Sequence, residues 1–294
     1  MSLFDNIIII GNRAVLKSYA KINLTLDITG RRDNGYHDVK MIMQTVNLFD
    51  LIIVDRKKQG ISLKSNLSYI PTDEKNIAYK AALLFFEKSG IDGGVSILIH
   101  KNIPVAAGLA GGSGNGGGVL CALNALYGYP FSEKEILDMS VILGADVPYT
   151  IKCGTCLSEG IGEILTPLSD APKMNILLVK PPLNISTAQV YKEFDASFGI
   201  SHPDTDKMLL AINNGDIKSI SQNLGNVLEA VTIKNHPVIS GIKEKMIKNG
   251  AIGALMSGSG PTVFGIFEDE KLAKKSADSF YKQYKEVYIC KTLN

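Results

Sequence analysis

Seven of the eleven residues from Gly108 to Gly118 are glycine, a density foreign to a strand or an ordinary helix interior, because glycine gives up more backbone entropy than any other residue. The run follows a strand pattern, Val95–Ile99, and precedes a helical pattern through Leu120, Leu123 and Leu126 that ends at Gly128 before Pro130. Glycine accepts positive φ and carries no Cβ, so successive backbone N–H groups can converge on an anion. A helix starting directly after the run adds its own free N–H groups and the positive end of its dipole. Strand, glycine turn and helix in that order point to a polyphosphate cradle; a flexible or tightly packed turn is the plainer alternative. It is not a Walker loop: the nearest approach, from Gly11 to Lys17-Ser18, has Leu16 where the second glycine must stand. Nor does an acidic residue follow at the spacing of a dinucleotide fingerprint.

Around this turn the chain has the make-up of a globular enzyme. Its 294 residues suggest about two domains at ~150 residues each. With 31 Lys+Arg against 29 Asp+Glu there is no field for a general nucleic-acid or membrane binder, so an anionic substrate needs locally placed cations. No apolar run approaches the ~18–20 residues of a membrane span, and no signal-peptide pattern is present. Four cysteines without an export signal suit a reducing cytoplasm. From Tyr19 to Ile28 apolar residues alternate, which predicts a half-buried strand with Lys21, Asn23 and Thr25 on its exposed face. Further strands are expected at 39–46, 51–54, 61–63 and 174–179 and as a pair within 150–163. Helices are expected at 76–88, at 132–143 behind a Ser132/Glu135 capping box, and at 206–214, 216–231 and 237–249. The strands 252–256, 262–267 and 286–290 and the helix 270–283 complete an α+β sandwich, with helices on one face of a mainly antiparallel sheet. The boundary is placed near 166, giving domains 1–166 and 167–294.

The segment Pro104-Val-Ala-Ala-Gly-Leu-Ala-Gly-Gly-Ser113 resembles the phosphate loop of the GHMP small-molecule kinases. Tyr19–Leu24 and Met256–Thr262 are similar to that family's other two motifs. Ala20–Leu24, Gly30–His37, Leu143–Pro148 and Ser158–Glu163 together resemble the branch that uses ATP to phosphorylate a hydroxyl of a cytidine-diphosphate-linked polyol for isoprenoid precursors. The resemblance implies an N-terminal ATP domain and a ferredoxin-like C-terminal domain flanking a cleft. It also implies ATP with Mg²⁺ and a small-molecule partner. The expectation is a cytoplasmic monomer or homodimer bound to neither nucleic acid nor membrane. One departure stands out: the family usually has a second serine where this chain has Gly114, although Ser113 and Asn115 are retained.

By that resemblance Asp146 is the general base, and Lys21 holds it ionised and steadies the transferring phosphoryl group. Their plain alternatives are a carboxylate capping the turn before Pro148 and a solvated strand lysine. The triphosphate would lie on Pro104, Val105, Ala106, Ala107, Gly108, Leu109, Ala110, Gly111, Gly112, Ser113, Gly114 and Asn115. Asn76 and Lys101 match positions near the ATP base, against the alternatives of a helix N-cap and a solvated strand end. Asn23 matches the polyol contact, while Tyr36, His37 and Tyr191 match the cytosine-reading positions, against a loop histidine and a core-facing helical tyrosine. No protein ligand for Mg²⁺ can be named. Cys153-Gly-Thr-Cys156 has no second pair to complete a zinc site and is taken as buried thiols. His100 and His236 fit no catalytic or metal pattern. Two alternatives remain open: another GHMP kinase, and a nucleotide-binding protein that has lost phosphotransfer.

Overall fold

The computed structural model describes residues 2–197 and 199–294. In chain order its strands and helices are β1 (Ile8–Ile10), β2 (Arg13–Arg31), β3 (His37–Lys57), β4 (Gly60–Ser65), α1 (Ile77–Ser89), β5 (Gly94–His100), α2 (Gly111–Leu126), α3 (Glu133–Leu143), α4 (Val147–Lys152), β6 (Thr155–Glu159) and β7 (Ile164–Pro167). There follow β8 (Asn175–Lys180), α5 (Thr187–Phe194), α6 (Thr205–Asn213), α7 (Ile217–Gln222), β9 (Gly225–Asn226), α8 (Glu229–Asn235), α9 (Val238–Lys248), β10 (Gly253–Met256), β11 (Val263–Phe267), α10 (Glu270–Tyr281) and β12 (Glu286–Lys291). They form two compact units that are interleaved along the chain. One comprises the chain up to Ala20, Leu48–Val105 and Ala110–Cys153; the other comprises Lys21–Asn47, Ala106–Leu109 and Gly154–Asn294.

The first unit is a sheet carrying helices. β5 runs antiparallel to the second half of β3 (Leu51↔His100) and parallel to β4 (Gly60↔Gly94), with α1 as the crossover between β4 and β5. Every second residue of these strands enters the core: Ile52 and Val54 from β3, Val95, Ile97 and Ile99 from β5, joined by Leu16 of β2. Phe85 of α1 and Val119, Leu120 and Leu123 of α2 fill the other side. α1 begins at the expected Asn76 N-cap and stops at Gly90 in the left-handed conformation. α3 opens with the full Ser132/Glu135 capping box.

The second unit is built on a four-stranded antiparallel sheet in the order β10-β11-β8-β12. Numbered along the chain, that order is 2-3-1-4, the ferredoxin-like arrangement. β11 is buried throughout its five residues, with β8 as one neighbour. α9 and α10 cover the sheet through Ile242, Met246, Ala273 and Phe280. The first half of β3 pairs with β6, and the second half of β2 pairs with the two residues of β9 (Thr25↔Gly225).

Four sequence expectations need correction. Residues 39–46 and 51–54 belong to one continuous strand, β3. The start of the expected 150–163 strand pair is helical (α4), because Pro148 sits in that helix's first turn, where its missing N–H costs nothing. Residues 216–231 do not form one helix: Gly225 leaves α7 to pair with β2, and a Cβ there would come 2.7 Å from Pro203 Cβ. Finally, the polar face of β2 is not exposed. Lys21 is 4% and Asn23 and Thr25 are 0% accessible: Gly258 lies beside Lys21 Nζ, Asn23 Nδ2 reaches Met41 Sδ, and Thr25 Oγ1 accepts from Ile42 N.

Candidate active site

The glycine run divides by task. α2 begins inside it, at Gly111 rather than after Gly118. Gly116, Gly117 and Gly118 are packing glycines, since a Cβ on them would fall 2.5 Å from Ile77 Cγ2, 2.8 Å from Ile151 Cγ1 and 2.6 Å from Ile52 Cδ1. The part with open backbone donors is shorter. Gly111, Gly112 and Ser113 precede the first helical bond, Gly114 N to Ala110 O at 2.8 Å, so their N–H groups are the open donors of a 16-residue helix. A Cβ on Gly112 would touch Ile77 Cδ1 at 4.0 Å, whereas one on Gly111 would meet Ile103 Cγ2 at 2.9 Å and Lys101 Nζ at 3.0 Å. Ala106 and Ala110 take positive φ (52° and 57°), a backbone cost that ligand-clamping loops commonly carry.

Beneath this turn lies a buried network that motif reading missed. Asp50 is fully buried and accepts from Asn102 N (2.7 Å), Ile103 N (2.8 Å) and Asn115 Nδ2 (2.9 Å), and pairs with Lys101 Nζ. Lys101 also donates to Asn115 Oδ1 at 3.1 Å. Burial holds the Lys101 ammonium below its usual pKa, and Asp50 opposes that shift. Lys101 is therefore neither a solvated strand end nor a free cation, and both polar atoms of Asn115 are used in bracing the loop. Asn76 caps α1, its Oδ1 accepting from Ala78 N and its Nδ2 donating to Pro71 O. Asp146 occupies the N-cap position of α4 without making a cap bond, so the plain alternative for it is not what the structure holds.

The second unit carries Lys21. Its Nζ donates to Asn23 Oδ1 at 2.6 Å, and its backbone N–H donates to Leu109 O. Asn23 Nδ2 reaches Met41 Sδ at 3.4 Å. The Ser257–Gly260 turn locks onto the same place. Ser257 Oγ donates to Gly108 O (3.0 Å), and a Cβ on Gly108 would lie 2.1 Å from Ser257 O, so only glycine fits there. Asn226 Nδ2 holds the turn through Met256 O and Gly258 O, each at 2.8 Å.

Also in this unit, the β2–β3 turn and α5 bring together the residues matched to cytosine recognition. His37 and Tyr191 lie with ring centroids 5.0 Å apart at 43°. Tyr36 stands 59% exposed on the turn. A fourth residue was not foreseen: Asp195, one turn beyond Tyr191, places Oδ1 2.6 Å from His37 Nε2. All four cysteines are buried and without disulfides. Among the described residues there is no group of three or more His, Cys, Asp or Glu able to hold a metal ion. Among the described residues no helix is long and apolar enough to cross a membrane.

A glycine-rich helix start with open N–H donors, a buried lysine on a strand and a ferredoxin-like sheet fit one class, the GHMP small-molecule kinases. The models for the GHMP kinases N terminal domain and the GHMP kinases C terminal match residues 76–155 and 208–286. The 4-diphosphocytidyl-2-C-methyl-D-erythritol kinases of Clostridium beijerinckii and Caldicellulosiruptor saccharolyticus are 49% and 47% identical to this chain. Each alignment covers 95% of it, and 99% and 96% of the relatives. A crystal structure of 4-(cytidine 5'-diphospho)-2C-methyl-D-erythritol kinase superposes with a TM-score of 0.82 at 30% identity, covering 95% of this chain and 99% of that one. Homoserine kinase from Cytophaga hutchinsonii shares the fold, with a TM-score of 0.71 at 18% identity over 96% of this chain and 95% of that one. The chain belongs to the 4-diphosphocytidyl-2-C-methyl-D-erythritol kinase family of GHMP kinases and is an ATP-dependent small-molecule kinase.

Proposed function

We propose that this chain transfers the γ-phosphoryl group of ATP to the 2-hydroxyl of 4-diphosphocytidyl-2-C-methyl-D-erythritol, giving the 2-phosphate in non-mevalonate isoprenoid precursor synthesis. Within the family reading, the observation that carries this substrate is the His37–Tyr191 ring pair. A half-buried aromatic face beside an imidazole offers stacking, at ~1–3 kcal/mol per base, together with a hydrogen-bonding edge.

Phosphoryl transfer asks the protein for alignment and for charge stabilisation. Asp146, whose carboxylate is not spent on a cap, accepts the proton of the acceptor hydroxyl as the oxygen attacks the γ-phosphorus and ADP leaves. Lys21 stabilises charge on the transferring oxygens. Asn23 fixes the rotamer of that lysine and contacts the polyol. Residues 104–115 carry the triphosphate, with the Gly111, Gly112 and Ser113 amides as donors and the Asp50–Lys101–Asn115 network as their support. Tyr36, His37 and Tyr191 hold the cytosine. Mg²⁺ finds no carboxylate cage among the described residues, so it would be held by ATP oxygens and water, shielding the triphosphate charge. The domains are taken as 1–166 and 167–294, a boundary in the interval between the two family matches. The setting is taken to be a cytoplasmic monomer or homodimer.

The test is ADP release from Mg·ATP with 4-diphosphocytidyl-2-C-methyl-D-erythritol, mevalonate, homoserine or galactose as acceptor, run beside Asp146→Asn. Release with the cytidylyl acceptor alone, lowered at least ~10²-fold in the variant, is expected for a positioned base. Turnover of a different alcohol would overturn the substrate, and full activity in Asp146→Asn would overturn the base.

A further inference from the structure

We infer that Asp195 is a specificity-positioning residue. By fixing the proton of His37 on Nε2 it makes Nδ1 a hydrogen-bond acceptor toward the base, so that the site takes a cytidylyl group and refuses a uridylyl one. The inference deepens the reading above and rests on His37 facing the pyrimidine.

The geometry is short and closed. Asp195 Oδ1 lies 2.6 Å from His37 Nε2, and Arg31 Nε lies 3.4 Å from Oδ2 on the far side of the same carboxylate. An ionised carboxylate only accepts hydrogen bonds, so Nε2 carries the proton; in the neutral ring the lone pair then falls on Nδ1. Nδ1 makes no hydrogen bond to the described residues, which leaves it as the nitrogen available to a ligand. The ring is not free to flip its roles. Its side chain is 7% exposed, and Tyr191 packs against it. Asp195 is tied to that tyrosine in turn, its backbone N–H donating to Tyr191 O at 3.2 Å. One helix end thus supplies both the ring that stacks and the carboxylate that sets the proton.

The consequence lies at the 4-position of the base. Cytosine presents an amino donor there, whereas the uracil-type edge presents a carbonyl acceptor. An acceptor Nδ1 completes a hydrogen bond with the first. With the second it sets two lone pairs against each other and leaves both groups desolvated and unpaired, and a site rejects an analogue by that mismatch. Stacking on Tyr191 cannot make this distinction, since every base has a π-face.

Asp195→Asn tests the assignment. Arg31 only donates, so it draws the new amide oxygen to itself and turns Nδ2 toward His37. Nε2 must then accept, and the proton moves to Nδ1. We expect kcat/KM for the cytidylyl substrate to fall about ten- to hundredfold, chiefly through KM. Turnover of the uridine-diphosphate analogue should hold or rise, and KM for ATP should not change. Nitrogen-15 spectra of histidine-labelled protein should show the protonated nitrogen switching from Nε2 to Nδ1. Asp195→Ala removes the bias without reversing it, so its preference should shrink and not invert. Equal losses on both nucleotides, or an unchanged His37 tautomer in Asp195→Asn, would reduce Asp195 to a structural contact and overturn the proposal. A wild-type protein that turns over neither nucleotide would sink the substrate reading and this proposal with it. A wild-type cytidylyl preference left intact by Asp195→Asn would sink the Asp195 assignment alone.

Discussion

Ser18 Oγ is buried without a hydrogen-bond partner and sits 2.3 Å from where a Cβ on Gly114 would be. The hydroxyl missing from the glycine turn and the hydroxyl stranded on β2 therefore compete for one volume. An unsatisfied buried hydroxyl costs about 1–3 kcal/mol, so Ser18→Ala should raise the denaturant midpoint by that order at unchanged m. Introducing serine at 114 should be better tolerated in the Ser18→Ala background than alone, and a double-mutant cycle reads the difference. Additive effects would show that the two positions do not share space. Single residues were legible in the sequence where a motif carried them: Lys21, Asn23, His37 and the glycine turn lie in short recognisable strings. Asp50 and Asp195 were not, because they act on partners 51 and 158 residues away, and only folding brings them there. The burial of Lys21 was missed for the same reason, since what covers β2 comes from later in the chain.

At the scale of an element, α2 sets helix propensity against packing. Alanine favours a helix over glycine by about 1 kcal/mol, yet a methyl at Gly118 would sit 2.6 Å from Ile52 Cδ1 and 3.2 Å from Leu16 Cδ1. Overpacking of a filled core costs about 1–3 kcal/mol and exceeds the propensity gain. Gly118→Ala should therefore lower stability in a urea titration, and Ile52→Val in the same chain should recover part of the loss. A stabilised Gly118→Ala would mean that the glycines serve the ligand alone. The sequence places the triphosphate on residues 104–115 but gives Gly116–Gly118 no separate task, because glycine density cannot tell a close helix contact from an anion cradle. Elements with local signals were legible, as at Asn76, at Gly90 and in the Ser132/Glu135 box. The division of 216–231 into α7 and α8 had no such signal, since it depends on Gly225 pairing with β2.

For the whole molecule, the order of segments matters more than their number. The chain changes unit after Ala20, Asn47, Val105, Leu109 and Cys153. Fragments 1–166 and 167–294 produced separately should each lack cooperative thermal unfolding and should regain it only on mixing, because 154–294 is missing Lys21–Asn47 and its pairing partners in β2 and β3. A fragment 167–294 that melted sharply by itself would show that its sheet needs nothing from the N-terminal half. The two-domain α+β plan was legible from element order, whereas this interleaving was not, because alternation of strands and helices says nothing about where a long strand hands over from one core to the next.

The residues proposed to read the base stand on both sides of four of those five crossings, His37 before the four and Tyr191 and Asp195 after them. No single breakpoint in the gene between codons 37 and 191 can exchange the whole reading set for that of another kinase. If these three residues set the nucleotide, a recombination inside that interval splits the set, and point substitution at His37, Tyr191 and Asp195 is the route that changes preference without breaking it.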